Sequence, residues 1–424
     1  MIGMSKLLHT NDSPLQLLNL DKIAQSVSFI QRKTQGFSAF GFIIALIKCC
    51  AKGEGSFYHI SLELGYLEQK IISRVAVYKR ITTKATLFLR TTINELIHQS
   101  ARSIYEVSTK HSFLRVLIED STFQRMCFGN AANFPAHGNG KSRTAGFKID
   151  LAYDLLTGLP ISQIFTYGTH QDKELGKALL GLVKAGDLVL RDMGYFVIES
   201  FQIIASKGAF WLTRLPPNVS VTFLDGTAIE KRLRSRANTF IDEEVYVGKC
   251  GMKARLLAVR ADDDIAAKRR RERNAKSKGQ QASSQSLVRD GWHILLTNVG
   301  TDVTAKELFD IYSVRWNIET RFKAWKQSLN LKNVFNRVSN EAHHECLILA
   351  ALIQQLIGFN LATQLRKFKT ISLSIEKLFE VLTTHLNSLN RNSMHHPIRF
   401  SISQISLDRR VRQSSHNQYL NLLS

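Results

Sequence analysis

Residues 1–110 place apolar side chains at helical spacing, with few β-branched alternations and a single proline, Pro14, so this stretch reads as helical. From about residue 111 the apolar period shortens to two. HSFLRVLIED (111–120), KIDLAYD (148–154) and LPISQIFTYG (159–168) each read as a strand, with turns expected at His137–Gly140 and Thr157–Gly158. Together they predict an antiparallel meander. A helix over Lys173–Ala185, a strand LVLRD (188–192), a helix over Tyr195–Ala205 and a strand AFWLTRL (209–215) follow. The expected class is α/β.

Residues 216–290 open on Pro216 and Pro217 and hold short β-prone pieces, SVTFL, EEVYVGK and ARLLAVR. They close on AAKRRRERNAKSKGQQASSQS (266–286), with seven Lys/Arg between Lys268 and Lys278 against one acid, Glu272. Such a run is a solvated helix or loop, a localisation signal, or a basic arm lying on nucleic acid through Arg269, Arg270 and Arg271. GWHILLTNVG (291–300) returns to strand texture, and a single helix is expected over Ala305–Leu329. Two more amphipathic helices are expected at 341–363 and 372–390, before a polar, basic end. Five segments result: 1–110, 111–215, 216–290, 291–365 and 366–424.

Within the first segment, FYHISLELGYLEQKIISRVAVYKRI (57–81) has the outline of a helix-turn-helix. The first helix is expected to end near Leu64, with Gly65 in the turn. The second would turn Arg74 and Lys79 outward to DNA and Ile71, Val75 and Tyr78 to the core. An ordinary helical hairpin fits the same pattern.

The net charge changes the picture. Fifty-seven Lys+Arg against 35 Asp+Glu give +22, spread along the chain, which suits a protein lying on a polyanion. A membrane surface would attract the same charge. Five cysteines without CxxC spacing suggest neither a disulfide framework nor a zinc site, and a reducing cytoplasm is expected. The longest apolar runs fall short of the ~20 residues needed to span a bilayer, so no membrane is expected as a partner.

Candidate chemistry concentrates in YSVRWNIETRFKAWK (312–326). On one helix, Tyr312, Arg315, Glu319 and Lys326 fall within roughly 60° of each other at about 100° per residue. Ile311, Val314, Ile318, Trp325 and Leu329 would seat that helix on a core. Ordinary i,i+4 ion pairs of Glu319 with Arg315 and Lys323 would explain neither Tyr312 nor Lys326. Asp120 and Asp192 each end an apolar strand. Two strand-end aspartates and a helix glutamate are what a two-metal phosphoryl-transfer site uses, with hard cations such as Mg²⁺ or Mn²⁺ on oxygen ligands. Glu119 points to the opposite face from Asp120, and Asp187 is expected to cap its turn. Asp150 and Asp154 stay open as competitors.

The strand and helix order is that of an RNase H-like core awaiting its closing helix. The spacing Tyr312–Arg315–Glu319–Lys326, with Trp316 and Ile318, resembles the YREK motif of bacterial DDE transposases of the insertion-sequence-four family. ILLTN before the helix, IEDST around Asp120 and VLRDMGYF around Asp192 resemble the family's other blocks, over about residues 111–330. The resemblance implies an RNase H-like core interrupted by a β-rich insertion, an N-terminal helical DNA-binding domain and a C-terminal helical region. It implies Asp120, Asp192 and Glu319 as ligands of two Mg²⁺ or Mn²⁺ ions, and Tyr312, Arg315 and Lys326 as contacts to double-stranded DNA at the element's ends. It also implies cleavage at terminal inverted repeats, transfer of the 3′-hydroxyls into target DNA, and a homodimer in a synaptic complex on the bacterial nucleoid. Trp292 lies where related enzymes put a tryptophan that stacks on an extruded base, or else it is a core indole. An RNase H-like nuclease that cuts without joining, or a catalytically silent DNA-binding derivative, is the alternative.

Overall fold

The computed structural model describes residues 7–9, 15, 18–30, 36–102, 113–138, 144–235, 239–276, 284–366, 373–389 and 399–406. After a short strand at Leu7–His9 come five helices: α1 (Leu20–Ser26), α2 (Ala39–Lys52), α3 (Phe57–Glu68), α4 (Arg74–Arg80) and α5 (Thr83–Arg102). Strands β1 (Arg115–Met126), β2 (Thr144–Asp154), β3 (Pro160–Tyr167) and β4 (Asp187–Arg191) follow, then helix α6 (Ile198–Ser206) and strand β5 (Phe210–Arg214). Strands β6 (Val221–Phe223), β7 (Phe240–Val247) and β8 (Met252–Arg260) precede helices α7 (Asp263–Lys276) and α8 (Ser284–Asp290). The last main elements are β9 (Trp292–Thr297), α9 (Ala305–Ser313), α10 (Asn317–Ser328), α11 (Glu341–Arg366) and α12 (Ile375–Ser388). The class is mixed α/β. Part of the expected turn at His137–Gly140, and most of the basic end after α12, lie outside the described residues.

The chain divides into two compact units. One comprises Met1–Glu106, Ser121–His170 and Asn317–Asn417; the other Val107–Asp120, Gln171–Trp316 and Gln418–Ser424. The division falls inside β1 and again between Trp316 and Asn317.

In the second unit, β1, β4 and β5 are parallel, with Arg115 opposite Asp187, Glu119 opposite Arg191 and Leu188 opposite Phe210. All five residues of β4 are buried, as a strand covered on both faces requires. β9 then pairs antiparallel with β5, β8 with β9, β7 with β8 and β6 with β7. The order is therefore β1-β4-β5-β9-β8-β7-β6. The β-prone pieces of residues 216–290 thus extend the same sheet rather than standing apart from it. Arg115 fastens the start of β1 by pairing with Asp187 at 2.5 Å. Asp187 also takes the Lys184 amide at 2.7 Å, so it does cap its turn.

In the first unit, β2 and β3 form an antiparallel hairpin beside the second half of β1. Asp154 makes the hairpin turn: its carboxylate accepts from the amides of Leu156 and Thr157 and from the Thr157 hydroxyl at 2.8 Å. Gly158, at φ +75°, supplies the left-handed conformation that follows. Asp154 is thereby committed to the turn. Helix α11 runs through the core against α2, α5 and α12. By length and composition Glu341–Leu365 could cross a membrane, longer than the sequence runs suggested, but 89% of that stretch is buried within the protein. It is a core helix here. Arg321 is buried too, its guanidinium lying 4.3 Å from the Tyr153 ring centre and 4.8 Å from that of Phe359.

The helical hairpin departs from expectation. Helix α3 runs through Gly65 to Glu68, and Gln69 takes the left-handed cap at φ 51°. Ser73 caps α4, whose one buried residue is Val77. Ile71, Val75 and Tyr78 are exposed, at 101%, 54% and 57%, instead of facing the core. A seven-residue helix has little more than one buried corner to offer, and Val77 fills it.

Candidate active site

The middle of β1, which runs on past Asp120 where the sequence pattern ended it, meets the end of β4 in the second unit. Glu119 and Arg191 are the last paired positions of these parallel strands. One residue further stand Asp120, still on β1, and Asp192, which keeps an extended backbone (φ −83°, ψ 170°) while opening a 3₁₀ turn. Neighbouring strands lie about 5 Å apart, so the two aspartates begin as neighbours. Alternation along a strand sends them to the face opposite Glu119 and Arg191. Both aspartates are partly exposed, whereas Glu119 and Arg191 are 0% and 1% exposed.

The buried pair is what holds this corner. Arg191 Nε lies 2.6 Å from Glu119 Oε2, close in distance though poorly aligned as a hydrogen bond. Its Nη2 donates to the Gly176 carbonyl at 2.5 Å, and its guanidinium lies over the Tyr195 ring at 5.8 Å. Its backbone carbonyl accepts the Tyr312 hydroxyl at 3.3 Å. Arg315 Nη1 donates to Asp120 Oδ2 at 2.9 Å and sits 5.9 Å from the Tyr312 ring centre. Burial pushes the Tyr312 phenol above its ordinary pKa; Arg315 works against that, and Asp192 adds to it. Tyr312 therefore stays protonated near neutral pH and acts as a donor.

The expected single helix over 305–329 is two helices. Thr304 and Glu307 form a capping box at the start of α9, which ends at Ser313. Val314–Trp316 is a 3₁₀ turn, and α10 begins at Asn317. The four motif residues thus do not share one straight stripe: Tyr312 closes α9, Arg315 lies in the turn, and Glu319 and Lys326 ride on α10. The apolar face is as expected, with Ile311, Val314, Ile318, Trp325 and Leu329 all at most 2% exposed.

In the first unit Glu319 is exposed in the first turn of α10, where a carboxylate favours the helix dipole. Lys326, two turns on, donates to the Phe123 carbonyl at 2.7 Å, and burial lowers its pKa to about 8. Asp120 and Asp192 are hard oxygen donors of the kind Mg²⁺ or Mn²⁺ takes. Among the described residues, however, no three His, Cys, Asp or Glu side chains stand together as a metal site. The donors fit the ions in kind, and two of them are neighbours.

Other expected contacts sort by exposure. Arg74 and Lys79 are exposed on α4. On α7, Arg270 and Arg271 are exposed, but Arg269 turns inward and donates to the carbonyls of Asp290 and Trp292 at 3.2 and 2.9 Å. Burial lowers its pKa. Arg273 pairs with Asp290 at 2.5 Å. Arg269 and Arg273 therefore fasten α7 to the protein, because a helix laid on the protein must turn one face inward. Trp292 is 4% exposed; its Nε1 donates to the Leu233 carbonyl at 3.2 Å, and Arg260 covers the ring at 5.3 Å. In this structure the indole is buried. The exposed tryptophan is Trp316, at 59%. The Glu119–Arg191 pair escaped the sequence reading, since nothing in the sequence links positions 72 residues apart.

A family model described as Transposase DDE domain matches residues 111–354. The chain is similar to the transposase for insertion sequence element IS231B of Bacillus thuringiensis subsp. berliner, at 27% identity over 82% of this chain and 78% of the relative. It is similar to that of IS231E of Bacillus thuringiensis subsp. finitimus, at 27% over 89% and 84%. The transposase for IS1151 of Clostridium perfringens is 23% identical over 80% and 76%. Among solved structures, a piggyBac transposase synaptic complex with hairpin DNA aligns over 98% of this chain and 83% of that one, at TM-score 0.47 and 12% identity.

Proposed function

The chain belongs to the transposase DDE domain family, and on that premise we propose that it moves an insertion sequence by cutting DNA at terminal inverted repeats and joining the freed 3′-hydroxyls to target DNA. The fold we assign is an RNase H-like core, and the parallel run of β1, β4 and β5 in the second unit and the β2–β3 hairpin in the first support it. Strands β6–β8 and helices α7 and α8 are then the insertion ahead of the last carboxylate.

Asp120, Asp192 and Glu319 are the carboxylates we assign to two Mg²⁺ or Mn²⁺ ions. Such ions, when bound, supply charge stabilisation at the attacking and leaving oxygens of an in-line displacement. The chain's own groups do the rest. Arg315 presents a fork that orients Asp120 and can engage a phosphate oxygen. Tyr312 donates from a phenol too weakly acidic to ionise. Lys326 adds a point charge to the strand being cut. Water is the first nucleophile, leaving a 3′-hydroxyl, which then displaces a 3′-oxygen of the target strand. Two ends need two copies of the site, so a homodimer on double-stranded DNA is the working form.

The reading rests most on the register that makes Asp120 and Asp192 neighbours ahead of a locked ion pair. It is tested with duplexes carrying the element's ends, in Mg²⁺ or Mn²⁺, with nicking and joining of precut ends scored separately. Asp192→Asn and Glu319→Gln should abolish both steps and keep end binding. Normal cutting by either variant would overturn the ligand assignment, and cutting without joining would make the protein a nuclease.

A further inference from the structure

A groove of about 640 Å³ opens in the first unit, where the second half of β1 meets the end of α10 and the segment after it. Its walls are fixed from two sides. The Asn330 amide donates to the Cys50 carbonyl at 3.1 Å, and the Cys127 amide to the Phe335 carbonyl at 3.0 Å. Lys326 closes one end through Phe123. Three cations line the groove, Arg125, Lys326 and Lys332, together with the amides of Gln124, Asn330 and Asn336. Among the described residues no Asp or Glu lines it, and no aromatic ring does. Arg125, Lys332, Asn330 and Asn336 are exposed to solvent.

We propose that this groove seats the phosphodiester backbone of a DNA strand, with Arg125 and Lys332 as phosphate contacts beyond those the motif supplies. The inference rests on the transposition reading and extends it to residues outside the motif. Three like charges brought together without a carboxylate repel one another, and a polyanion relieves that repulsion. Amides between the cations can donate to phosphate and sugar oxygens. The lack of aromatic rings speaks against bases stacking here, so the contact is to the backbone and carries no sequence information. Burial at the same place already lowers the Lys326 pKa to about 8, a cost that a bound phosphate offsets.

The test is DNA binding measured across a salt series, with a duplex that carries the element's end and an unrelated duplex. Arg125→Ala/Lys332→Ala should lower the slope of log affinity against log salt by about 2, close to 0.9 per lost phosphate contact. Both duplexes should weaken by the same factor, leaving their affinity ratio unchanged. Arg125→Lys/Lys332→Arg, which keeps both charges, should restore the slope and thereby separate charge from folding. A wild-type slope in the Ala variant, or a loss confined to the element's end, would overturn the groove assignment while the transposition reading stands. Failure of the wild-type chain to bind either duplex would overturn the transposition reading itself.

Discussion

Glu119 and Arg191 face each other across two parallel strands, one residue before Asp120 and Asp192, and each is almost wholly buried. A carboxylate and a guanidinium taken out of water are stable only together. Removing either partner leaves an uncompensated buried charge, at about 3–5 kcal/mol. Glu119→Gln or Arg191→Met should therefore lower unfolding free energy by about that much in urea titrations. The double change Glu119→Leu/Arg191→Met should regain most of it, since an apolar pair of similar volume is often as stable. Its DNA nicking should stay low, because Arg191 also donates to the Gly176 carbonyl and lies over the ring of Tyr195, in the turn that Asp192 opens. Full activity in a stable double variant would reduce the pair to a packing feature.

Much of this corner was legible in the sequence, and the reasons differ from element to element. LVLRD announces β4 because a strand covered on both faces is apolar throughout. Glu119 was placed on the face away from Asp120 by strand alternation alone. The break at Val314–Trp316 was not legible: neither glycine nor proline marks it, and its β-branched and aromatic residues only weakly disfavour a helix. The exposure of Ile71 follows from α4 starting only at Arg74, and that of Val75 and Tyr78 was hidden for another reason. Periodicity shows that α4 has two faces, but only the packing around Val77 shows which one is buried.

The buried indole of Trp292 separates two roles by stability. If it is core, Trp292→Ala should destabilise by about 3–5 kcal/mol. Trp292→Phe, which loses the bond to the Leu233 carbonyl and some volume, should cost less and leave DNA cutting near normal in the folded fraction. A base-stacking role would give the reverse, with an unchanged melting point and impaired cutting. Thermal melts and nicking rates on the same preparations decide between them.

Helix α7 makes a similar division among adjacent arginines. Arg270→Ala/Arg271→Ala removes two exposed charges and should leave the unfolding free energy within about 0.5 kcal/mol of wild type. If these side chains lie on DNA, the salt slope of binding falls by about 2. Arg269→Ala removes bonds to two carbonyls beside β9 and should lower stability with little change in slope. A lower slope from Arg269→Ala alone would show that α7 reorients on DNA.

His343 and His344 give the first unit a pH dependence whose sign follows from their burial. Desolvation lowers their pKa values to about 4 and about 3, with the neighbouring histidine also depressing His344. Unfolded, each would titrate near 6.5. Below pH 6.5 the unfolded chain therefore binds protons that the folded chain refuses, and stability rises with pH across that window. It should be fully present above about 6.5 and should drain away as the pH falls towards 4. His344 packs between Phe134 and Phe335, at ring distances of 6.0 and 5.8 Å, in surroundings that suit an apolar side chain. His344→Phe should thus flatten the slope of urea stability between pH 6.5 and 4 while changing stability little at pH 8. An unchanged slope in that variant would assign the acid sensitivity to other groups.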